Sequence, residues 1–468
     1  MNQYFEVKNV KQLRKGKSQF IKIGKKYRGD VEPGNIPESV THLYFDRNQM
    51  LKPGIIPNSV THLEFGQPFN QRLRLGVIPN SVTRLAFGEK FNQRLRPGVI
   101  PNSVTTLVFG YEFDRKLKLG DIPDSVKILT LGPRFNRKIK PRVIPNSVVI
   151  LNFGRLFNKK LRPGIIPNSV THLEFGVVFN QRLCPGVIPD SVIYLKFGSR
   201  FNQPLVPGII PNSVTHLKFG KNYNQHLEIG VIPNSVQVLK LGDLENSPLI
   251  PGTIPNSVIH LIFDDYFDEI LKPGDIPNSV TTLTFGIDFD QILKPGDIPN
   301  SVTHLTFGSD FNQPLENGSI PNSVTRIKFG HSFNQKLKPG DIPNSVTHLS
   351  FGHKFDQPLS PEIIPGFIVF IDFNNNLNEY WNIPESIFVS SMDSICNKWT
   401  SQSCKYFELD EFLKWQRAEI NDDIEEKRID NEIKKYSHPF YTSIFTSKVN
   451  SSILAEIPSE LLFYMLEY

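Results

Sequence analysis

Seven of the 11 histidines stand at one position of a recurring pattern: His42, His62, His172, His216, His260, His304 and His348. Imidazoles gathered on one face are the raw material of a metal site or a proton relay. This column, however, is broken by Arg84, Thr106, Ile128, Ile150 and Tyr194, and no carboxylate column runs beside it to orient the rings. Exposed strand-face residues are expected, with no bound metal. The three cysteines, Cys184, Cys396 and Cys404, make neither a disulfide framework nor a zinc spacing, which points to reduced thiols and a cytoplasmic setting. The acidic group Asp264, Asp265, Asp268 and Glu269 does not have the spacing of a calcium loop. There is no glycine-rich phosphate loop, nucleophile elbow, His-Cys pair or carboxylate pair that the repeat does not explain, so neither catalysis nor a cofactor is expected.

The cations carry more information than the net charge of +6. Arg72, Arg94, Lys116, Lys138, Lys160 and Arg182 recur at one position, and Lys52, Arg74, Arg96, Lys118, Lys140 and Arg162 at another, two residues on. Stacked, they would form a positive ridge able to attract a polyanion or an acidic protein. The bland alternative is a solvated face. Beyond Arg182 the first column turns to Pro204, His226, Pro248, Ile270 and Ile292, so the ridge is regional. Nucleic acid is disfavoured because the recurring aromatics belong to the core and leave no stacking platform.

The element that positions all these residues is a repeat. Ile-Pro ends at Pro37, Pro57, Pro79 and then every 22 residues to Pro365; only the first interval is 20. Thirty-seven prolines and 31 glycines exclude a helical bundle over most of the 468 residues. In residues 57–78, the run Val60-Thr61-His62-Leu63-Glu64-Phe65 predicts a short strand burying Val60, Leu63 and Phe65, ended by Gly66. Phe69 and Leu73 point inward again, and Pro53-Gly54 suits the centre of a type II turn. One such unit cannot bury its apolar side chains alone, whereas stacked units share a continuous core. The expected fold is a repeat solenoid, mainly β, of parallel 22-residue coils, roughly 75 Å long for about 16 coils. Asn70, Asn92, Asn136, Asn158, Asn180, Asn202, Asn224, Asn312 and Asn334 share one coil position, with Asp at 114, 268, 290 and 356. A short amide or carboxylate there predicts a hydrogen-bond ladder along the stack.

With Phe69-Asn70 and Ile78-Pro79 recurring in register, the repeats resemble the FNIP family. Val60-x-x-Leu63-x-Phe65 is similar to the core of the wider leucine-rich-repeat class. The resemblance covers about three quarters of the chain. It implies a non-catalytic interaction protein of the kind found in social amoebae and amoeba-infecting viruses, hence the host-cell cytoplasm if virus-encoded. In that family the repeats often accompany an F-box. Ile453 to Tyr468, with Ile457-Pro458, Glu460-Leu461-Leu462 and Met465-Leu466, resembles the opening of one, about a third of the family length. Two readings stand: a terminal amphipathic helix, or an F-box remnant that binds a Skp-type adaptor and makes the chain a substrate receptor of a cullin-type ubiquitin ligase.

The expected organisation is an N-terminal cap and degenerate repeat over 1–35, the solenoid over 36–389 and a helical C-terminal region over 390–468. No apolar run of 18 residues and no signal-type N-terminus occurs, so membrane insertion is not expected. The protein partner is unknown. Its expected landing site is the variable strand face, represented by His62, Glu64, Arg84, His172, Glu174, Tyr194, Lys196, His216 and Lys218.

Overall fold

Pro57 to Val60 make a tight turn rather than the start of a strand: the Val60 N–H donates to Pro57 O at 3.2 Å, and the strand begins at His62. Val60 is buried from the turn. The computed structural model describes residues 4–15, 18–244, 249–373 and 388–391. These form nineteen strands, from β1 (Phe5–Glu6) through β2 (Phe20–Ile23), β3 (His42–Phe45) and β4 (His62–Phe65) to β18 (Phe370–Phe373) and β19 (Phe388–Ser391), with one short helix, α1 (Val10–Lys15). Each strand pairs in parallel with the next in sequence, so the coils stack in chain order into one sheet. Register is fixed by the repeat: Leu63 lies opposite Leu43 on one side and Leu85 on the other. The result is a leucine-rich-repeat-like parallel β-solenoid of about 16 coils of ~22 residues, nearly without helix. Of the expected helical region over 390–468, residues 390 and 391 belong to β19; the remainder, with the F-box-like segment Ile453–Tyr468, Cys396 and Cys404, lies outside the described residues.

Each coil closes on a second turn at Pro-Gly. The Ile55 N–H donates to Lys52 O across Pro53-Gly54, and Gly54 has φ +83°, the left-handed value that a type II turn requires. Arg142 takes the same conformation at φ +65° in the one coil where arginine replaces this glycine.

Two columns of phenylalanine fill the interior. Phe65 stacks on Phe69 within its coil at 4.1 Å, and each ring stacks on its equivalent in the next coil, Phe65 on Phe87 and Phe69 on Phe91. Apart from the edge-on Phe45–Phe65 pair at 6.4 Å, the strand-end column is spaced 5.2 to 5.8 Å between coils and the deeper column 6.0 to 6.2 Å. Strands themselves lie about 4.8 Å apart. Coils therefore diverge with distance from the sheet, which bends the stack and places the sheet on its inner, concave side.

Polar ladders satisfy the backbone between coils. The Asn92 N–H donates to Asn70 Oδ1 at 2.9 Å, Asp114 to Asn92 at 3.1 Å and Asn136 to Asp114 at 3.0 Å. The same bond continues through Asn158, Asn180, Asn202 and Asn224, and again from Asp268 through Asp290, Asn312 and Asn334 to Asp356. A second ladder comes from serine: Ser59 Oγ donates to Val40 O at 2.7 Å, and every coil to Ser345 repeats it, so the turn carbonyl is never left unpaired. A glycine ends most strands, with Asp46 and Asp264 as exceptions, and proximity explains it: a Cβ on Gly88 would lie 1.9 Å from Gly66 O.

Candidate interaction surfaces

Along each strand, leucine points into the core and the residues on either side point to the concave face, which is the period-2 rule applied to three or four residues. His62 and Glu64 flank Leu63, and Arg84 lies in register beside His62 on the next strand. His172, Tyr194 and His216 are in register on three consecutive strands, as are Glu174, Lys196 and Lys218. The nine face residues therefore fall into two groups, separated by the strands that carry Thr106, Ile128 and Ile150. All are half-buried except Tyr194, which is buried. The histidine column is thus less exposed than its sequence suggests, because neighbouring side chains at strand spacing cover each ring.

The first group is extended by aromatics of the N-terminal strands, of which Phe20 and Tyr44 are in register with it and Tyr4 precedes the repeat. Tyr4 packs edge-on against Phe20 at 6.1 Å and lies 6.0 Å from Tyr44, while Phe20, His42 and His62 stack successively at 4.1 Å. Lys22 sits over the Tyr44 ring at 4.9 Å. Burial, then the neighbouring His42 and Arg84, pulls the His62 pKa down to about 4, so this imidazole is neutral at physiological pH. Its Nδ1 lies 2.9 Å from Thr61 Oγ1. Burial first, with Glu64 adding to it, pushes the Tyr4 hydroxyl up to about 12.

In the second group Tyr194 lies between His172 at 5.8 Å and His216 at 6.4 Å, with the Lys218 ammonium 5.8 Å from its ring. Lys240 continues the Lys196 and Lys218 row on the next strand. Among the described residues no group of three His, Cys, Asp or Glu is placed to hold a metal ion.

The basic residues lie on a different surface, the coil edge between the strand-ending glycine and the Pro-Gly turn. Arg72, Arg74, Arg94, Arg96, Lys116, Lys118, Lys138, Lys140, Lys160, Arg162 and Arg182 are all exposed there, and Leu95, Leu117, Ile139, Leu161 and Leu183 point inward between the two cationic columns. Farther along the stack the same edge carries Asp265, Asp268, Glu269, Asp288, Asp290, Asp310 and Glu316. Asp243, Tyr266, Asp268, Glu269 and Asp288 line a shallow recess on it. The sequence singles out Asp264, Asp265, Asp268 and Glu269, but the whole-chain charge of +6 hides that the acidic stretch runs on through Asp288, Asp310 and Glu316.

FNIP repeat models match consecutive, partly overlapping stretches from residue 30 to residue 376. The chain belongs to the FNIP repeat family. Among solved structures, the FNIP repeat chain is similar to CroV588, described as a novel circular leucine-rich-repeat protein, with 40% identity and a TM-score of 0.72. The match covers 82% of this chain and 58% of CroV588, so this chain spans little more than half the length of that protein. No curated protein matches. No helix among the described residues is long and apolar enough to cross a membrane.

Proposed function

We propose that this FNIP repeat chain is a non-catalytic protein-interaction scaffold whose concave strand face receives a protein partner. One observation carries the reading: the interior ladders repeat from coil to coil, while the strand-face positions change from Glu64 to Ala86, Val108, Thr130, Asn152, Glu174 and Lys196. Residues that the stack does not dictate are free to encode a partner. A rigid face also loses little conformational entropy on docking. The half-buried row Lys196, Lys218 and Lys240, packed beside the buried Tyr194 ring, suits a partner segment that carries carboxylates.

The test compares capture from lysate of the expressing cells by the wild-type chain, a face variant (Tyr194→Ala with Lys218→Glu) and an edge variant (Arg94→Glu with Arg96→Glu). A partner retained by the edge variant and lost from the face variant is the expected result. Equal recovery by both would remove the strand face from the account. The substrate-receptor reading of residues 453–468 rests on sequence pattern alone. Recovery of a Skp-type adaptor and cullin by the full chain but not by a chain ending at Asn450 would support it.

A further inference from the structure

The charges of this solenoid are segregated along its length. Residues 67–162 hold 19 Lys and Arg against 5 Asp and Glu, a net +14, whereas residues 243–316 hold 2 against 12, a net −10. Most of the exposed charges of both stretches lie on the same coil edge; Arg84 belongs to the strand face, and Asp264, Asp275 and Asp297 are buried. In the basic stretch Arg94, Arg96, Lys116, Lys138 and Lys140 are exposed, and in the acidic stretch Asp268, Asp310 and Glu316 are.

Local pairs such as Arg137 with Asp114 and Lys221 with Asp265 answer a few of these charges, but the two stretches cannot neutralise each other within one chain. The strands at the centres of the two stretches, Thr106–Val108 and Thr282–Thr284, are eight strands apart, roughly 40 Å at the usual strand spacing. That is several times the Debye length of about 8 Å at physiological ionic strength, and the serine ladder runs unbroken between them.

We infer that this coil edge binds a second copy of the same chain, basic stretch against acidic stretch. Laid side by side in opposite directions about a two-fold axis, two copies bring each basic stretch onto the partner's acidic stretch and make both contacts at once, the isologous arrangement commonest among homodimers. Unlike charges in register along two parallel edges steer the encounter and fix its direction. A free polyanion would satisfy the basic stretch alone and leave the acidic one unanswered; the second copy answers both. The concave strand face stays open in this arrangement, so the pairing stands or falls independently of the partner docking proposed above.

The experiment is sedimentation velocity on the full chain at about 50 mM and about 500 mM NaCl, with two charge-reversal variants. One carries Arg94→Glu, Arg96→Glu and Lys138→Glu; the other carries Asp288→Lys, Asp310→Lys and Glu316→Lys. None of these side chains belongs to the Asn or Ser ladders. The expected result is a dimer at low salt that weakens at least tenfold at high salt, two variants that are each monomeric, and a dimer recovered when the variants are mixed. Circular dichroism of each variant checks that the fold is retained. A monomer at low salt, a dimer indifferent to the reversals, or a mixture that stays monomeric would overturn the proposal. So would a monomer that instead binds added polyphosphate, which would assign the basic stretch to a polyanion.

Discussion

Replacing Asn180 by alanine probes the ladder at mid-stack. Asn180 Oδ1 accepts two hydrogen bonds, from the Asn202 N–H and from Gln203 Nε2, each at 3.0 Å, while its own N–H donates to Asn158 Oδ1 at 3.0 Å. Alanine keeps the donation and deletes the acceptor. The Asn202 N–H, half-buried between coils, is then left unpaired, a cost of about 1–3 kcal/mol. The Gln203 amide can turn to water and adds little. A loss of about 2 kcal/mol corresponds to about 30-fold more frequent local opening at 25 °C. Aspartate keeps an acceptor in the same place, as Asp114 does for the Asn136 N–H at 3.0 Å, so Asn180→Asp should lose almost nothing. Hydrogen exchange at residue 202 reads this directly: protection should fall about 30-fold in Asn180→Ala and hold in Asn180→Asp. Unchanged protection in the alanine variant, or equal loss in both, would refute the ladder as a source of stability.

Three further outcomes follow from the geometry. Gly198→Ala should destabilise the stack severely, because its Cβ would lie 1.9 Å from Gly176 O, whereas Gly208→Ala, with open space and φ +86°, should cost only about 1 kcal/mol; chemical denaturation of the two variants should separate them. Tyr223→Phe should raise stability by about 1 kcal/mol, since the Tyr223 hydroxyl is buried among the described residues without a hydrogen-bond partner and the ring it stacks on in the preceding coil, Phe201, carries none; an unaltered or lowered midpoint would count against it. His62 titrates at about 4 when folded against about 6.5 when unfolded, so its contribution is full above pH 6.5 and is lost as pH falls toward 4. An NMR titration placing His62 near 6.5 would show that the ring is not held in the Phe20 and His42 stack.

The period, the core residues and the Pro-Gly turn were legible in the sequence because each depends on side chains or backbone angles within one unit. Val60, Leu63, Phe65 and Phe69 are buried as their spacing implies. Features that depend on the neighbouring coil were harder. The recurrence of Pro-Asn-Ser-Val marks Ser59 without revealing that its acceptor is Val40 O, one coil back. Gly88 reads as a strand terminator, yet the reason for it is the carbonyl of Gly66. On the strand face, the partner-contact candidates could be named but not grouped, because grouping requires knowing that His172, Tyr194 and His216 stand side by side. Tyr4 was invisible as a face residue because it precedes the repeat and joins the aromatic cluster through β1 and β2. Of the two charged stretches, the basic one was legible as two cationic columns, whereas the acidic one showed only as the local group Asp264, Asp265, Asp268 and Glu269, because the whole-chain charge of +6 masks its extent.

Placing a photo-crosslinking amino acid at Lys218 on the concave face, and separately at Leu119, exposed in the turn that closes its coil, shows which surface docks a partner. In expressing cells, a scaffold that docks partners on its sheet should crosslink a defined heterologous protein from position 218 and not from position 119. The same protein crosslinking from 119 and not from 218 would contradict the assignment of the strand face.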